Sequence, residues 1–431
     1  MVSLMPKRAS GGMDGGMKLP QVLAGVPASL LLMTSLAVSA ADWPQWRGPD
    51  REDRSPDTGL LKSWPEGGPK ALWVFKDAGL GYAGYSIVDG TLFTMGLRGD
   101  QEMVIAVRVS DGTEVWTAPA GARYENRWGD GPRCTPTVSG NRVFAIGGQG
   151  GLVCLDRATG KKLWEKSLVS DLGGTLQSWG YTESPLVSGN RVYCTPGGSA
   201  GTMAALDVAT GRVVWQSKDL SDAAQYSSAI QIRHGGKDQL VQLVEKRFFG
   251  LNPETGAVLW SEEFPGRTAV IPTPIYHDGV VYVTAGYGVG CKAVQLGGDK
   301  PTVLYENNKV MKNHHGGVVR VGEHLYGHSD GYAWVCQEMK TGKEVWAERG
   351  FGKGAIHYAD GMLYCLAEDS GEVALIEASP KGWSEKSRFK LSPQSSQRSR
   401  SGRIWTHPVV LDGRLFLRDQ EFLHCYDVRN K

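Results

Sequence analysis

Residues 134–164, CTPTVSGNRVFAIGGQGGLVCLDRATGKKLW, and residues 183–215, ESPLVSGNRVYCTPGGSAGTMAALDVATGRVVW, are two versions of one phrase. Each reads as a short apolar strand, an Asn-Arg turn, a second strand, a glycine-rich turn, a third strand, then Asp-x-x-Thr-Gly and a strand ending in Trp. Such a unit cannot bury its own apolar faces and must stack on copies of itself, so the repeat dictates the architecture.

The aromatic that ends the fourth strand recurs as Trp116, Trp164, Trp215, Trp260, Tyr305, Trp346 and Phe389, at separations of 41 to 51 residues. That spacing fits four short strands with their turns, which is one propeller blade. After Phe389 the segment THPVVLDGRLFLRDQEFLHCYD, residues 406–427, supplies only three strands. The missing one stands alone at the other end as Leu72-Trp73-Val74-Phe75, with Trp73 43 residues before Trp116. Pairing the two closes the ring and removes an exposed sheet edge. The fold expected is an all-β, eight-bladed β-propeller of four-stranded antiparallel blades, the last completed by the N-terminal strand; the alternative is seven blades and an unpaired tail. The 58 Gly, 14 Trp and 15 Tyr suit short strands joined by tight turns.

Within the repeat, the Asp or Asn of Asp-x-x-Thr-Gly can bond the backbone of its own turn while Gly takes the left-handed position. Ten residues before the aromatic stands a small residue in most copies: Ala106, Cys154, Ala205, Gly250 and Cys336. It leaves room for an indole.

Residues 1–40 read as a signal peptide: Lys18 precedes an apolar run from Leu19 to Val38, and Val38-Ser39-Ala40 offers a small-residue cleavage site. Met17 is an alternative start, and a retained anchor is the competing reading, opposed by Pro20 and Pro27. Residues 41–69 form an N-terminal arm and 70–431 the propeller. Removing residues 1–40 takes away Lys7, Arg8, Lys18 and Asp14, leaving 44 basic and 44 acidic side chains of the 47 and 45 in the chain. A neutral chain has no long-range field to steer nucleic acid, so a nucleic-acid partner is not expected. Nor is a stable transmembrane span after cleavage. The location expected is periplasmic or secreted.

The phrase Ala205-Leu206-Asp207-x-x-Thr210-Gly211-x-x-x-Trp215 resembles the tryptophan-docking repeat of pyrroloquinoline-quinone (PQQ) propellers, and the likeness covers nearly all of residues 73–428. Two groups share that repeat: quinoprotein alcohol dehydrogenases, and cofactor-free relatives such as the propeller lipoprotein of the outer-membrane barrel-assembly machinery. The arm Trp43-Pro44-Gln45-Trp46-Arg47-Gly48-Pro49 is similar to that of many exported propellers of environmental bacteria.

The resemblance to the dehydrogenases implies an adjacent Cys-Cys disulfide beside the quinone, and none of the seven cysteines here is adjacent to another. Cys154, Cys336 and Cys425 occupy the small-residue slot, and Cys194 and Cys365 follow an apolar strand, so these five read as core filler. The same resemblance implies a calcium ion, for which Glu183 is the candidate ligand. His314 and His315 are adjacent on an expected strand, which would send their side chains to opposite faces. His324 and His328 lie on another expected strand, too far apart for one metal site.

Propeller sites sit where the loops entering each blade converge on the channel. The polar and aromatic residues there are the candidates for cofactor or ligand binding: Arg133, Trp179, Glu183, Tyr226, His315, Lys353 and His407. Their mixture suits a small polar molecule, a glycan or a peptide segment of an envelope protein. Gly286-x-Gly288-x-Gly290 lacks a following helix and reads as a turn. Lys386–Arg403 reads as a mobile basic loop. The function expected is a cofactor-free, exported interaction or ligand-binding scaffold. The alternative implied by the resemblance is a PQQ- and calcium-dependent alcohol or sugar dehydrogenase, with Arg133 or Lys353 polarising the quinone; catalytic residues are not identified.

Overall fold

The computed structural model describes residues 41–298 and 300–430. The signal-peptide reading of residues 1–40 lies outside them.

Eight four-stranded antiparallel sheets make up the described chain, each with its strands in simple meander order. They are the blades, spanning 86–122, 137–167, 186–216, 230–263, 275–307, 318–348 and 354–390, with 409–427 and Lys70–Phe75 forming the eighth. No described residue is in a helix, and among the described residues there is no helix long and apolar enough to cross a membrane. The innermost strands are short and buried, as in Ser86–Val88 and Val409–Leu411, because the blades crowd together at the axis. The outermost strands, such as Thr302–Asn307, face solvent and carry charge. The core lies between blades: Phe93, Val104 and Ala106 of blade 1 pack with Val143, Ala145 and Leu152 of blade 2.

The ring closes as the repeat demands. Lys70–Phe75 pairs antiparallel with Phe422–Asp427, matching Trp73 to Cys425 and Phe75 to Leu423. Arg418, fully buried in blade 8, adds a staple that sequence periodicity could not show. Its guanidinium donates to Ala78 O, Gly79 O, Ala83 O, Met95 O and Thr94 Oγ1, all on blade 1 or its approach. Blade 8 is thus tied to blade 1 by a side chain that grips its backbone carbonyls.

The repeated aromatics hold neighbouring blades together. Each ring lies over the small residue opposite it, as Trp116 over Ala106, Trp164 over Cys154 and Trp346 over Cys336. Its polar end then bonds the turn of the next blade: Trp73 Nε1 to Val109 O, Trp116 Nε1 to Arg157 O, Trp164 Nε1 to Val208 O and Tyr305 Oη to Met339 O, at 2.8–3.0 Å. The Thr-Gly glycine of that turn is required, because it has positive φ and lies beneath the ring. A Cβ on Gly211 would stand 2.7 Å from Trp164 Cε3. Asp156 and Asp207 secure their turns by accepting from the backbone N–H and hydroxyl of Thr159 and Thr210. Trp260 is the exception. Blade 5 carries Leu296-Gly297-Gly298 in place of Asp-x-x-Thr-Gly, and Trp260 turns back over Gly250 to donate to Gln239 Oε1 of its own blade.

The arm is a plug of the channel. Trp43 pairs with Ile87 of blade 1, Pro44 O accepts from Val138 N of blade 2, and Arg51 donates to Ser184 O, Pro185 O and Ala229 O at blades 3 and 4. Trp46 Nε1 bonds Thr273 Oγ1 before blade 5, Arg47 bonds Val318 O of blade 6, Arg54 pairs with Tyr358 of blade 7, and Asp53 reaches His407 before blade 8. The twelve residues from Trp43 to Arg54 therefore touch every blade or the loop that enters it. The coil is tight: Arg47, Arg51 and Asp53 all have φ near +60°. Such conformations persist in non-glycine residues only where surrounding contacts over-determine them.

The segment read as a mobile basic loop is neither wholly loop nor loose. Glu385–Lys390 is the outer strand of blade 7, and the stretch beyond is pinned by Ser395 N to Asp419 Oδ2, Ser395 Oγ to Glu421 Oε2 and an Arg398–Asp419 ion pair. Residues 286–290 form a hairpin turn between Val280–Ala285 and Gly290–Gln295, as expected.

Candidate functional site

Each blade is entered through a loop that ends at its short inner strand, and the loops of all blades begin at the same end of the channel. There they enclose a cavity of about 330 Å³ above the arm. Of the seven candidates, Arg133, Trp179, Tyr226, His315 and His407 line it. Glu183 and Lys353 do not.

The lining is a box of rings. On one side Tyr82, Trp405, His315, His314 and Tyr287 form a continuous ribbon, with successive ring centroids 4.8, 4.7, 3.6 and 4.5 Å apart. Trp179 and Tyr226 meet edge to face at 5.6 Å on the loops entering blades 3 and 4. Trp46 of the arm lies 4.7 Å from His407. His314 and His315 stack because both fall in the irregular segment before strand Val318–Val321. The expectation that they lie on a strand and diverge is corrected: without the pleat, adjacent side chains are free to share a face.

Burial sets the charge of this wall. It pushes the His315 imidazole down to about 3, with Lys353 adding repulsion, and depresses His314 as well, aided by the neighbouring His315 and Lys353. Both rings are neutral near pH 7. Lys353 sits behind them, its ammonium 2.7 Å from His314 Nδ1 and 2.9 Å from Asp330 Oδ1. Glu368 accepts from Trp405 Nε1 at 3.0 Å and lies 3.8 Å from Lys353 Nζ; burial raises its pKa. The Arg133 guanidinium is held between the Tyr82 and Tyr124 rings and donates to Gly131 O and Gly129 O.

Beneath the cavity Asp53 joins two histidines. His407 Nδ1 is 2.9 Å from Asp53 Oδ2 and its Nε2 is 2.9 Å from His315 O. Both ring nitrogens of His407 therefore have a partner, one on the arm and one on the loop entering blade 6. His357 Nδ1 bonds Asp53 Oδ1, while its Nε2 accepts from Val410 N. Burial pushes the Asp53 carboxyl up, but the bonds from His357 and His407, with Arg47 nearby, outweigh it and hold the group below the usual carboxylate range.

Residues 100–348, more than half of the chain, match the family described as outer membrane protein assembly factor BamB. The chain belongs to the BamB family. It is 24% identical over 191 residues to the outer membrane protein assembly factor BamB of Shewanella oneidensis, a match that covers 41% of this chain and 45% of that relative, so it spans less than half the relative's length. Among solved structures it is similar to BamB from Moraxella catarrhalis, with a TM-score of 0.60 at 15% identity, covering 84% of this chain and 98% of that one. It is similar too to the quinohemoprotein alcohol dehydrogenase of Comamonas testosteroni, with a TM-score of 0.63 at 12% identity over 90% and 81% of the two chains. At these identities the structural likenesses speak for the fold alone.

The dehydrogenase-like fold raises the question of calcium, and Glu183, its candidate ligand in this BamB-family chain, does not fit it. Calcium takes six to eight oxygens. Both oxygens of Glu183 are already committed, accepting from Thr195 N at 2.6 Å, Thr195 Oγ1 at 2.9 Å and Gln242 Nε2 at 3.2 Å, and burial pushes the carboxyl up to about 7. Among the described residues no three His, Cys, Asp or Glu side chains are grouped to hold a metal. The seven cysteines are separately buried, with no disulfide between them.

Sequence reasoning passed over Trp46, Tyr82 and Tyr287. Tyr287 lies in the glycine-rich segment of blade 5 that reads in the sequence only as a turn. Trp46 carried a signal, the aromatic-rich start of the arm, which had been used only as a mark of kinship.

Proposed function

We propose that this BamB-family propeller is a cofactor-independent binding scaffold of the cell envelope that holds a small ligand in the aromatic cavity at its channel mouth. The observation that carries this reading is the convergence of seven Trp and Tyr rings from the arm and the blade-entry loops on one cavity floored by the arm. Rigid, largely apolar pockets with a few fixed polar groups are the usual form of small-molecule sites. Family membership supports an envelope location and, as a second reading, a role beside protein partners in outer-membrane assembly. The apolar run before Ala40 is consistent with export.

The test is a binding panel on the purified chain, read by isothermal calorimetry and tryptophan fluorescence, with 2-naphthoate, 2-naphthylmethylammonium, cellobiose, and PQQ with calcium. The reading expects at least one of the first three to bind and the pair Trp179→Ala and Trp405→Ala to abolish it while melting remains cooperative. Retention of PQQ with alcohol- or sugar-dependent dye reduction would overturn it in favour of a quinoprotein dehydrogenase. Silence of the whole panel, with a protein captured specifically from envelope extract, would favour the assembly reading.

A further inference from the structure

Arg133 lines the cavity with no carboxylate within ion-pair distance among the described residues. Its fixed partners are neutral: two backbone carbonyls and two tyrosine rings. A partly desolvated guanidinium whose neighbouring carboxylates, Glu102 and Asp130, act only from beyond ion-pair distance is costly to keep, and the cost is relieved when an anion arrives. The other charges at the site are neutralised in place. Asp53 is bonded by His407 and His357, and Lys353 faces Asp330 from behind His314. Burial keeps His314 and His315 neutral.

Several other polar atoms of the lining already have partners, while His314 Nε2 and His315 Nδ1 are buried without one. Thr182 Oγ1 donates to Tyr226 O, Tyr82 Oη to Trp128 O, Trp46 Nε1 to Thr273 Oγ1 and Trp405 Nε1 to Glu368 Oε2. A sugar would bring many hydroxyls into a box that has few free partners for them, and each one left unmade is a desolvation penalty. A cation would be welcomed by the rings but repelled by Arg133. A flat ring needing few hydrogen bonds, with one acidic group, answers both constraints, and 330 Å³ accommodates two fused rings and a carboxylate.

We infer that the mouth cavity takes a small aromatic carboxylate, its rings within the Trp and Tyr box and its carboxylate paired with Arg133. This rests on reading the cavity as a ligand site. The same wall explains the location of Arg133 two residues after Gly131, whose carbonyl it grips: the brace fixes the direction of the guanidinium before the ligand arrives.

The experiment compares 2-naphthoate with 2-naphthylmethylammonium and cellobiose by calorimetry on the whole chain, at 0.05 and 0.5 M salt, in the native protein and in Arg133→Gln and Arg133→Lys. The result expected is naphthoate at least about tenfold tighter than the ammonium, a preference of roughly 1.4 kcal/mol. The preference weakens with salt, falls to about threefold or less in Arg133→Gln, and is partly kept in Arg133→Lys, which serves as the control for folding. A tighter ammonium or cellobiose, or a preference undiminished in Arg133→Gln, overturns the aromatic-acid assignment. If such binding is lost in Trp179→Ala, the ligand-site reading stands without it. Silence of all three probes overturns both.

Discussion

Asp53, carried into the channel on the N-terminal arm, and His407, on the loop entering blade 8, face each other at 2.9 Å with Asp53 only 1% exposed. A carboxylate so buried is worth keeping only with its hydrogen-bond partners, and its bonds to His407 and His357 fix the arm at the axis. Replacing Asp53 with Asn takes away the buried carboxylate that both His407 and His357 bond. Removal of one partner of a buried pair costs about 3–5 kcal/mol. Urea unfolding should show a loss of that size in Asp53→Asn at pH 7; a loss of less than about 1 kcal/mol would mean that the arm is held by its other contacts.

Arg418 predicts a weak seam when removed. In Arg418→Met, carbonyls of Ala78, Gly79, Ala83 and Met95 lose a donor that water cannot replace. Buried groups left unpaired cost about 1–3 kcal/mol each, tempered by relaxation. The expected loss is several kcal/mol, with early hydrogen exchange in Lys70–Phe75 and the strands beside it.

Glu183 predicts a pH dependence. Its carboxyl is raised to about 7 in the folded chain from an ordinary value near 4.5, so folding takes up a proton between those values. The stability that it contributes is complete below about 4.5 and is lost as pH rises through about 7. Glu183→Gln removes the ionisation while keeping an acceptor for Thr195. The difference in unfolding free energy between variant and native protein should therefore move toward the variant from pH 5 to pH 8, by up to roughly 3 kcal/mol. A flat difference would contradict the assignment.

The docked rings predict unequal glycines. Gly211 lies under Trp164, whereas Gly189, also at positive φ, faces open space. Gly189→Ala meets only the left-handed penalty of about 1 kcal/mol. Gly211→Ala adds a clash with the indole and should cost about 1–3 kcal/mol more by thermal or urea unfolding.

The sequence is legible where it is periodic. Trp73 could be paired with the last blade because it falls one repeat length before Trp116, and backbone pairing with Cys425 is a consequence of that register. Arg133, Trp179, Tyr226, His315 and His407 could be chosen because each precedes a first strand. Glu183 and Lys353 satisfy the same rule yet point behind the lining, toward Thr195 and Asp330, since position before a strand does not fix which way a side chain turns. The arm was illegible for a different reason. Trp43 to Asp57 has no hydrophobic period, and its turns at Arg47, Arg51 and Asp53 are imposed by partners on eight blades far away in sequence. Arg418 likewise reads as one more charged residue on a strand until its carbonyls are assembled around it.

The account stands or falls on the arm as the floor of a ligand site, and Trp46 tests it most directly. Titrating 2-naphthoate into native protein and Trp46→Ala by calorimetry should show about a tenfold or greater loss of affinity in the variant, since a ring that buries this much surface at a pocket floor contributes on the order of 1–3 kcal/mol. Melting should remain cooperative in both. Equal affinity in the two proteins would contradict the account, because the ligand would then be bound somewhere that the arm does not reach.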